Sequence, residues 1–141
     1  MRPADHDQVA AVLRVCAEHG VAVVPFGGGT SVVGGLEAPR EGFAGVVSLD
    51  LGRMDRLESV DERSLTAVFA PGLRLPEAER ALAEHGLRLA HLPQSFEWAT
   101  VGGCVATRSA GQSSTGNGRI DENVVALRCA TSWPARRARS A

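Results

Sequence analysis

The chain has 141 residues and no lysine, all 15 of its basic residues being arginines. A Walker A phosphate loop is thereby excluded, because it needs Gly-Lys-Ser/Thr. Cysteine is scarce as well: Cys16, Cys104 and Cys129 are widely spaced, odd in number and never paired as Cys-x-x-Cys. Neither a disulfide scaffold nor a zinc site follows, no metal is expected, and the three read as small core residues. No apolar run approaches the length of a membrane span, and Met1-Arg2-Pro3-Ala4-Asp5 does not lead into a signal-peptide core. The formal charge of −1 argues against nucleic acid or an anionic membrane as partner. A cytoplasmic setting is expected. What remains is a composition of 44% hydrophobic and 22% charged residues, ordinary for one globular domain with a buried core.

Along the chain, helical and extended patterns alternate. Asp5 with Gln8 three residues on makes a start like a capping box, and Val9, Val12, Leu13 and Cys16 then share one helical face before Gly20. A strand is expected over Val21 to Val24 and another near Val46 to Leu49. Leu57 to Val60 and Leu65 to Ala70, joined by Asp61-Glu62-Arg63-Ser64, read as a hairpin. Pro71-Gly72 breaks the chain, Pro76 suits the first turn of a second helix through Glu84, and Gly86 closes it. His19 and His85 each stand in the phrase Ala-Glu-His-Gly, where capping of a helix C-terminus is the expected role. The pattern is α+β with local βαβ units, and no segment marks a linker between domains.

The strand at Val21 runs directly into Pro25-Phe26-Gly27-Gly28-Gly29-Thr30-Ser31-Val32-Val33-Gly34-Gly35. Consecutive glycines permit φ > 0 and remove Cβ atoms, so several main-chain N–H groups can converge on one anion. Thr30 and Ser31 can add hydroxyl donors. The nearest rival is the dinucleotide fingerprint G-x-G-x-x-G, which wants a glycine where Val32 stands and a helix immediately after. Val32-Val33-Gly34-Gly35 are poor helix formers. Asp50, at the end of the apolar run, is the one feature on the side of that rival, since it lies at about the spacing of a ribose-binding acid.

A second segment reads Pro93-Gln94-Ser95-Phe96-Glu97-Trp98-Ala99-Thr100-Val101-Gly102-Gly103-Cys104-Val105-Ala106-Thr107-Arg108-Ser109-Ala110-Gly111. Taken with the glycine loop, it resembles the flavin domain of the vanillyl-alcohol oxidase (PCMH-type) family. Within that family the chain is similar to the alkyldihydroxyacetonephosphate synthase branch and to bacterial FAD-linked oxidases. The resemblance covers about Pro3 to Thr131. It implies a partial PCMH-type FAD-binding domain over 1–131, with helices packed on small mixed sheets, followed by an atypical basic tail over 132–141. It also implies a flavoprotein whose FAD is lined by Pro25, Phe26, Gly27, Gly28, Gly29, Thr30 and Ser31. The second motif would contribute Gln94, Ser95, Phe96, Glu97, Trp98, Ala99, Thr100, Thr107, Arg108, Ser109 and Ala110.

Each of these has a plainer reading. Gly102 and Gly103 can simply let a helix pack tightly, Phe96 and Trp98 can be core, and Arg108 can pair with phosphate or with Glu97 or Asp121. Thr30 stands where flavinylated relatives carry histidine, so the resemblance implies a non-covalent flavin. Gln94 replaces the usual Asp and Ala110 the usual Ser. The tyrosine and histidine cluster that serves catalysis in synthase-like relatives lies beyond this stretch, the chain has no tyrosine, and no catalytic residue is assigned. Substrate contact is expected from a domain not present here. The sequence after Thr131 reads as a truncation or an altered frame, and unpaired sheet edges favour self-association. Two functions stay open: the FAD-binding portion of an oxidoreductase or synthase, and a non-catalytic FAD or nucleotide-binding module. A degraded gene product is the third reading.

Overall fold

The computed structural model describes residues 1–39 and 41–128. Helix α1 (His6–Glu18) starts where the sequence places it. Asp5 caps it by accepting from the Gln8 N–H at 2.8 Å, and the Gln8 amide reaches back to accept from the Ala4 N–H at 2.9 Å. His19 is the C-cap residue. The chain then enters β1 (Val21–Phe26), which pairs in parallel with β2 (Gly45–Asp50) in the register Val21↔Gly45 to Phe26↔Asp50. Parallel pairing needs a crossover, and here none of the described crossover residues is helical. The expected βαβ unit is therefore absent at this point, because glycine and proline fill a connection that a helix would occupy. Met1 extends this layer: its ammonium donates to the Ser48 carbonyl at 2.7 Å and its carbonyl accepts from the Asp50 N–H at 2.8 Å.

The hairpin follows as β3 (Leu57–Asp61) and β4 (Thr66–Phe69), antiparallel, with Asp61 accepting from the Arg63 N–H to fix the turn. Helix α2 (Leu75–Ala83) carries Pro76 in its first turn as expected. After it, His85 places its ring Nδ1 3.0 Å from the Glu62 carboxylate in the hairpin turn. Three short helical pieces complete the described chain: α3 (Val101–Ala106), α4 (Ser114–Asn117) and a 3₁₀ turn (Ile120–Asn123).

The core lies between α2, α3 and the hairpin. Leu73, Leu75, Ala78, Ala99, Val101, Cys104 and Ile120 are buried there, with Leu57, Phe69, Leu89, Phe96 and Val105 packed against them. Cys16 and Cys104 are buried thiols, as their sequence setting indicates. Cys129 and the tail over 132–141 lie outside the described residues. No helix among the described residues is long and apolar enough to cross a membrane.

Leu75 has no exposed surface at all. Leu75→Ala is expected to cost about 2–5 kcal/mol, the range for emptying a leucine site that cannot collapse, read as a lowered urea midpoint at unchanged slope.

Candidate functional site

The glycine loop begins where β1 gives out. The Phe26 carbonyl still accepts from the Leu51 N–H at 3.0 Å, and beyond it the chain leaves the sheet. Among the described residues, the main-chain N–H groups of Gly27, Gly28, Gly29, Thr30 and Ser31 donate no hydrogen bond. These residues are half-buried or exposed, and successive N–H groups in a turn can form an anion-binding concavity. The Ser31 hydroxyl accepts weakly from the Val33 N–H at 3.4 Å. Pro25 and Phe26 belong to the end of β1, paired with Leu49 and Asp50.

The second motif lies directly on this loop. A Cβ built at Gly28 would overlap the Trp98 carbonyl oxygen and approach its carbon at 2.7 Å, while one at Gly27 would strike the Thr100 hydroxyl. This corrects the conformational reason for the glycines. Only Gly29 of the three has positive φ, at 71°. Gly28 is glycine because the Trp98 backbone occupies the place of its side chain, and Gly27 because the Thr100 side chain does.

Thr100 is the residue at this crossing. It is 4% exposed and pairs with Arg74 in an isolated bridge, and its hydroxyl caps α3 by accepting from the Gly103 N–H at 3.2 Å. The other amides of the first turn of α3 are also used inside the protein. Val101 donates to the Leu73 carbonyl at 2.8 Å and Gly102 to the Pro71 carbonyl at 2.9 Å. The end of α3 therefore has no donor to spare for an anion, and the loop amides do. Gly102 takes its packing role: a Cβ there would lie 2.6 Å from the Pro71 Cβ.

Most polar side chains of the second motif are engaged within the protein. The Thr107 hydroxyl donates to the Gly103 carbonyl at 2.9 Å, and the Ser109 hydroxyl lies 3.2 Å from His91 Nε2. Arg108 pairs with Asp121, Nε to Oδ2 at 3.0 Å, and Arg119 approaches the same carboxylate at 3.4 Å. Of the partners left open for Arg108, the structure selects Asp121 and not Glu97. Asp121 is held below the usual carboxylate range: its burial acts in the opposite sense, and the Arg108 bond with the two guanidinium charges outweighs it. Phe96 packs on the core and Ala99 is buried, whereas Trp98 is 61% exposed. Ser95 turns the chain by accepting from the Trp98 and Ala99 N–H groups, both at 2.9 Å, and Gln94, Glu97 and Ala110 face solvent.

Two features escaped the sequence reading. A cavity of about 320 Å³ borders the loop from the side of Gly27 and Thr100 and is also lined by Arg2, Asp50, Gly72 and Arg74. Pro71-Gly72 signalled a break but gave no sign that Gly72 would line a cavity with Gly27. The other is His91, 2% exposed beneath the second motif, whose burial holds its imidazole below the ordinary value of 6.5. Burial likewise pushes the Cys104 thiol up, against a smaller opposing hydrogen bond with Ser109. Among the described residues no group of His, Cys, Asp and Glu has the arrangement to hold a metal.

A parallel layer running into an amide-rich loop, with a second backbone segment laid across it, is the architecture of a nucleotide-cofactor domain. Residues 1–133 match the FAD binding domain family, and the chain belongs to that family. It is 38% identical over 130 residues to the alkyldihydroxyacetonephosphate synthase of Trypanosoma brucei brucei, covering 92% of this chain and 21% of the relative. It is 34% identical over 125 residues to a glycolate oxidase subunit of Bacillus subtilis (strain 168), covering 89% of this chain and 26% of that protein. A solved alkyldihydroxyacetonephosphate synthase superposes with a TM-score of 0.81 at 36% identity, over 86% of this chain and 22% of that one. The chain thus spans about a fifth to a quarter of these relatives' length. FAD is the cofactor of the domain they share with it.

Gly28→Ala is expected to lower stability by about 1–3 kcal/mol through overpacking against the Trp98 carbonyl and to weaken FAD binding in parallel, checked by urea unfolding and by titration. For His91 the sign is set by its lowered pKa. The folded state disfavours the protonated imidazole, so its contribution is intact above the ordinary value and is lost as pH falls through the lowered one. Thermal scans between pH 7.5 and 5 should show a steeper acid loss for the wild type than for His91→Asn.

Proposed function

We propose that this chain holds FAD non-covalently through the backbone amides of Gly27, Gly28, Gly29, Thr30 and Ser31, with the second motif forming the opposite wall. The observation that carries the reading is the run of amides at the end of β1 that have no partner among the described residues. A diphosphate supplies acceptors for several such donors at once, and a guanidinium is not needed when amide dipoles converge. The threonine at position 30 offers no imidazole to a flavin ring, which is why the attachment is non-covalent. Gln94, Ser95, Glu97 and Ala110 line the solvent-facing part of the cradle, and Thr100 positions it.

FAD, once bound, supplies hydride or electron transfer, while the protein supplies position and exclusion of competing reactions. The chain's residues provide the first of these. Contact with a small-molecule substrate, as oxidase or ether-lipid synthase, belongs in this proposal to the parts of the relatives that the chain does not span. A cytoplasmic setting suits Cys16 and Cys104, which are free thiols. Val125 and Leu127 are exposed apolar side chains through which the isolated chain would self-associate.

Purified chain titrated with FAD should quench flavin fluorescence, and acid precipitation should leave the yellow colour in the supernatant. Flavin retained in the protein pellet would overturn the non-covalent attachment. Arg108→Ala, which removes only an exposed ion pair, should change FAD affinity by less than about 1 kcal/mol.

A further inference from the structure

His91 is 2% exposed, one of the largest fully buried side chains, and nothing in the FAD reading uses it. It stands just before Pro93, where the second motif begins, and its ring Nε2 hydrogen-bonds at 3.2 Å with the hydroxyl of Ser109, near that motif's end. Two further bonds cross at the same level. The Ser113 hydroxyl donates to the Ala90 carbonyl at 2.7 Å, and the Gln112 N–H donates to the Leu92 carbonyl at 3.1 Å. The segment that touches the glycine loop is therefore itself a loop whose base these three bonds close, and of the three only the His91 bond involves a titratable group. From that base a line of bonds reaches the crossing. The Ser109 N–H donates to the Cys104 carbonyl and the Cys104 N–H to the Thr100 carbonyl, both at 2.9 Å, and the Thr100 hydroxyl abuts Gly27.

We propose that His91 is a positioning residue: its neutral ring closes the base of the second motif, and FAD binds the chain with this ring unprotonated and leaves as the ring takes up a proton. The inference rests on the FAD reading above. An imidazolium needs acceptors for both of its N–H groups, and a charge taken out of water without a partner is costly. No carboxylate among the described residues forms an ion pair with His91. The titratable groups of the neighbouring elements are engaged elsewhere. Glu79 of α2 accepts from the Leu89 and Ala90 N–H groups at 3.3 and 2.7 Å, and Asp121 is held by Arg108 and Arg119. Cys104 of α3 stays a neutral thiol, pushed up by burial. A protonated His91 must reach water, which parts the 90–92 stretch from 109–113 and loosens the wall tied to Thr100. Burial accordingly holds the imidazole below its ordinary value of 6.5. Affinity for FAD is then complete above that value and falls as pH drops through the lowered one. The diphosphate of FAD keeps its charge across the same range, so the ligand's own titration does not produce the slope.

The test is calorimetric titration of the full chain with FAD from pH 7.5 to 5, at points where circular dichroism shows the chain folded. Wild-type affinity should be level at the upper end and fall at the lower, by no more than about tenfold per pH unit, the limit for one proton. His91→Gln keeps a hydrogen-bonding group that does not titrate; it should bind within about threefold of wild type at pH 7.5 and show no slope. His91→Leu should bind more weakly at every pH, also without slope, and His85→Gln, at an exposed histidine, should keep the wild-type slope. Reciprocity requires FAD to lower the His91 pKa in turn, read from its ring resonances with and without ligand. That measurement needs no variant and decides the matter even if His91→Gln fails to fold. Level wild-type affinity, a slope that survives in His91→Gln, or a ring pKa unmoved by FAD overturns the proposal and leaves the FAD reading standing. Wild-type chain that binds no FAD at pH 7.5 overturns the FAD reading and this inference with it.

Discussion

The site depends on the loop after β1 lying against the segment Trp98 to Thr100 with no room for side chains on the loop's glycines. At Gly28 the loop meets the Trp98 carbonyl, and at Gly27 the Thr100 hydroxyl, so closely that even a methyl group has no room. A contact of this kind fixes relative position by repulsion on both sides, and interiors packed to this density do not deform continuously. Thr100 shares in several constraints at that point. Its hydroxyl abuts Gly27 and caps α3, its backbone pairs with Arg74, and its carbonyl receives the Cys104 N–H at 2.9 Å. Through it the cradle is tied to the core around Leu75 and Ala78. The loop amides have no partner among the described residues, and the segment beside them is held by its own bonds to Leu73 and Pro71.

The electrostatics of the site follow from the same arrangement. Arg108 and Arg119 both face Asp121, so these cations are neutralised locally, and Arg2 is paired with Asp50 at 3.0 Å. In the proposed site, with Arg74 the nearby guanidinium that has no ion pair among the described residues, an anion entering the loop would meet amide dipoles. Such donors are covalently fixed in the backbone and lose little side-chain freedom on binding. A site of this construction gains selectivity from shape and from the number of acceptors the ligand brings. It owes less to long-range attraction, which the near-zero net charge would supply only weakly.

Much of the fold was legible because its signals are local. The Asp5 cap, the Asp61 turn of the hairpin and Pro76 at the start of α2 each act within a few residues, and each works as its residue type requires. Helix α3 was not legible in the same way. Its six residues Val-Gly-Gly-Cys-Val-Ala are poor helix formers, and it forms because the Pro71 and Leu73 carbonyls and the Thr100 hydroxyl take its first amides. Those partners come from another part of the chain. The site shows the same division. The residues of both motifs could be picked by type, but the reason for Gly28 is its contact with Trp98, seventy positions away. Periodicity and propensity cannot carry that information. The Thr107 hydroxyl donates to the Gly103 carbonyl, and the Ser109 hydroxyl lies beside His91 Nε2, partners that the motif alone did not indicate. Arg74 carried no motif at all.

The comparison with relatives adds a last step. A synthase and an oxidase subunit share this stretch at 38% and 34% identity, although their names describe different chemistries. Gly27, Gly28, Thr100 and Gly102 are used up in close packing of the loop on Trp98 and Thr100 and of α3 on Pro71. In the proposed FAD site they would set where the phosphates lie and leave the reactive ring to be matched with a substrate by other parts of a protein. Function of that kind is grafted on a scaffold rather than implied by it.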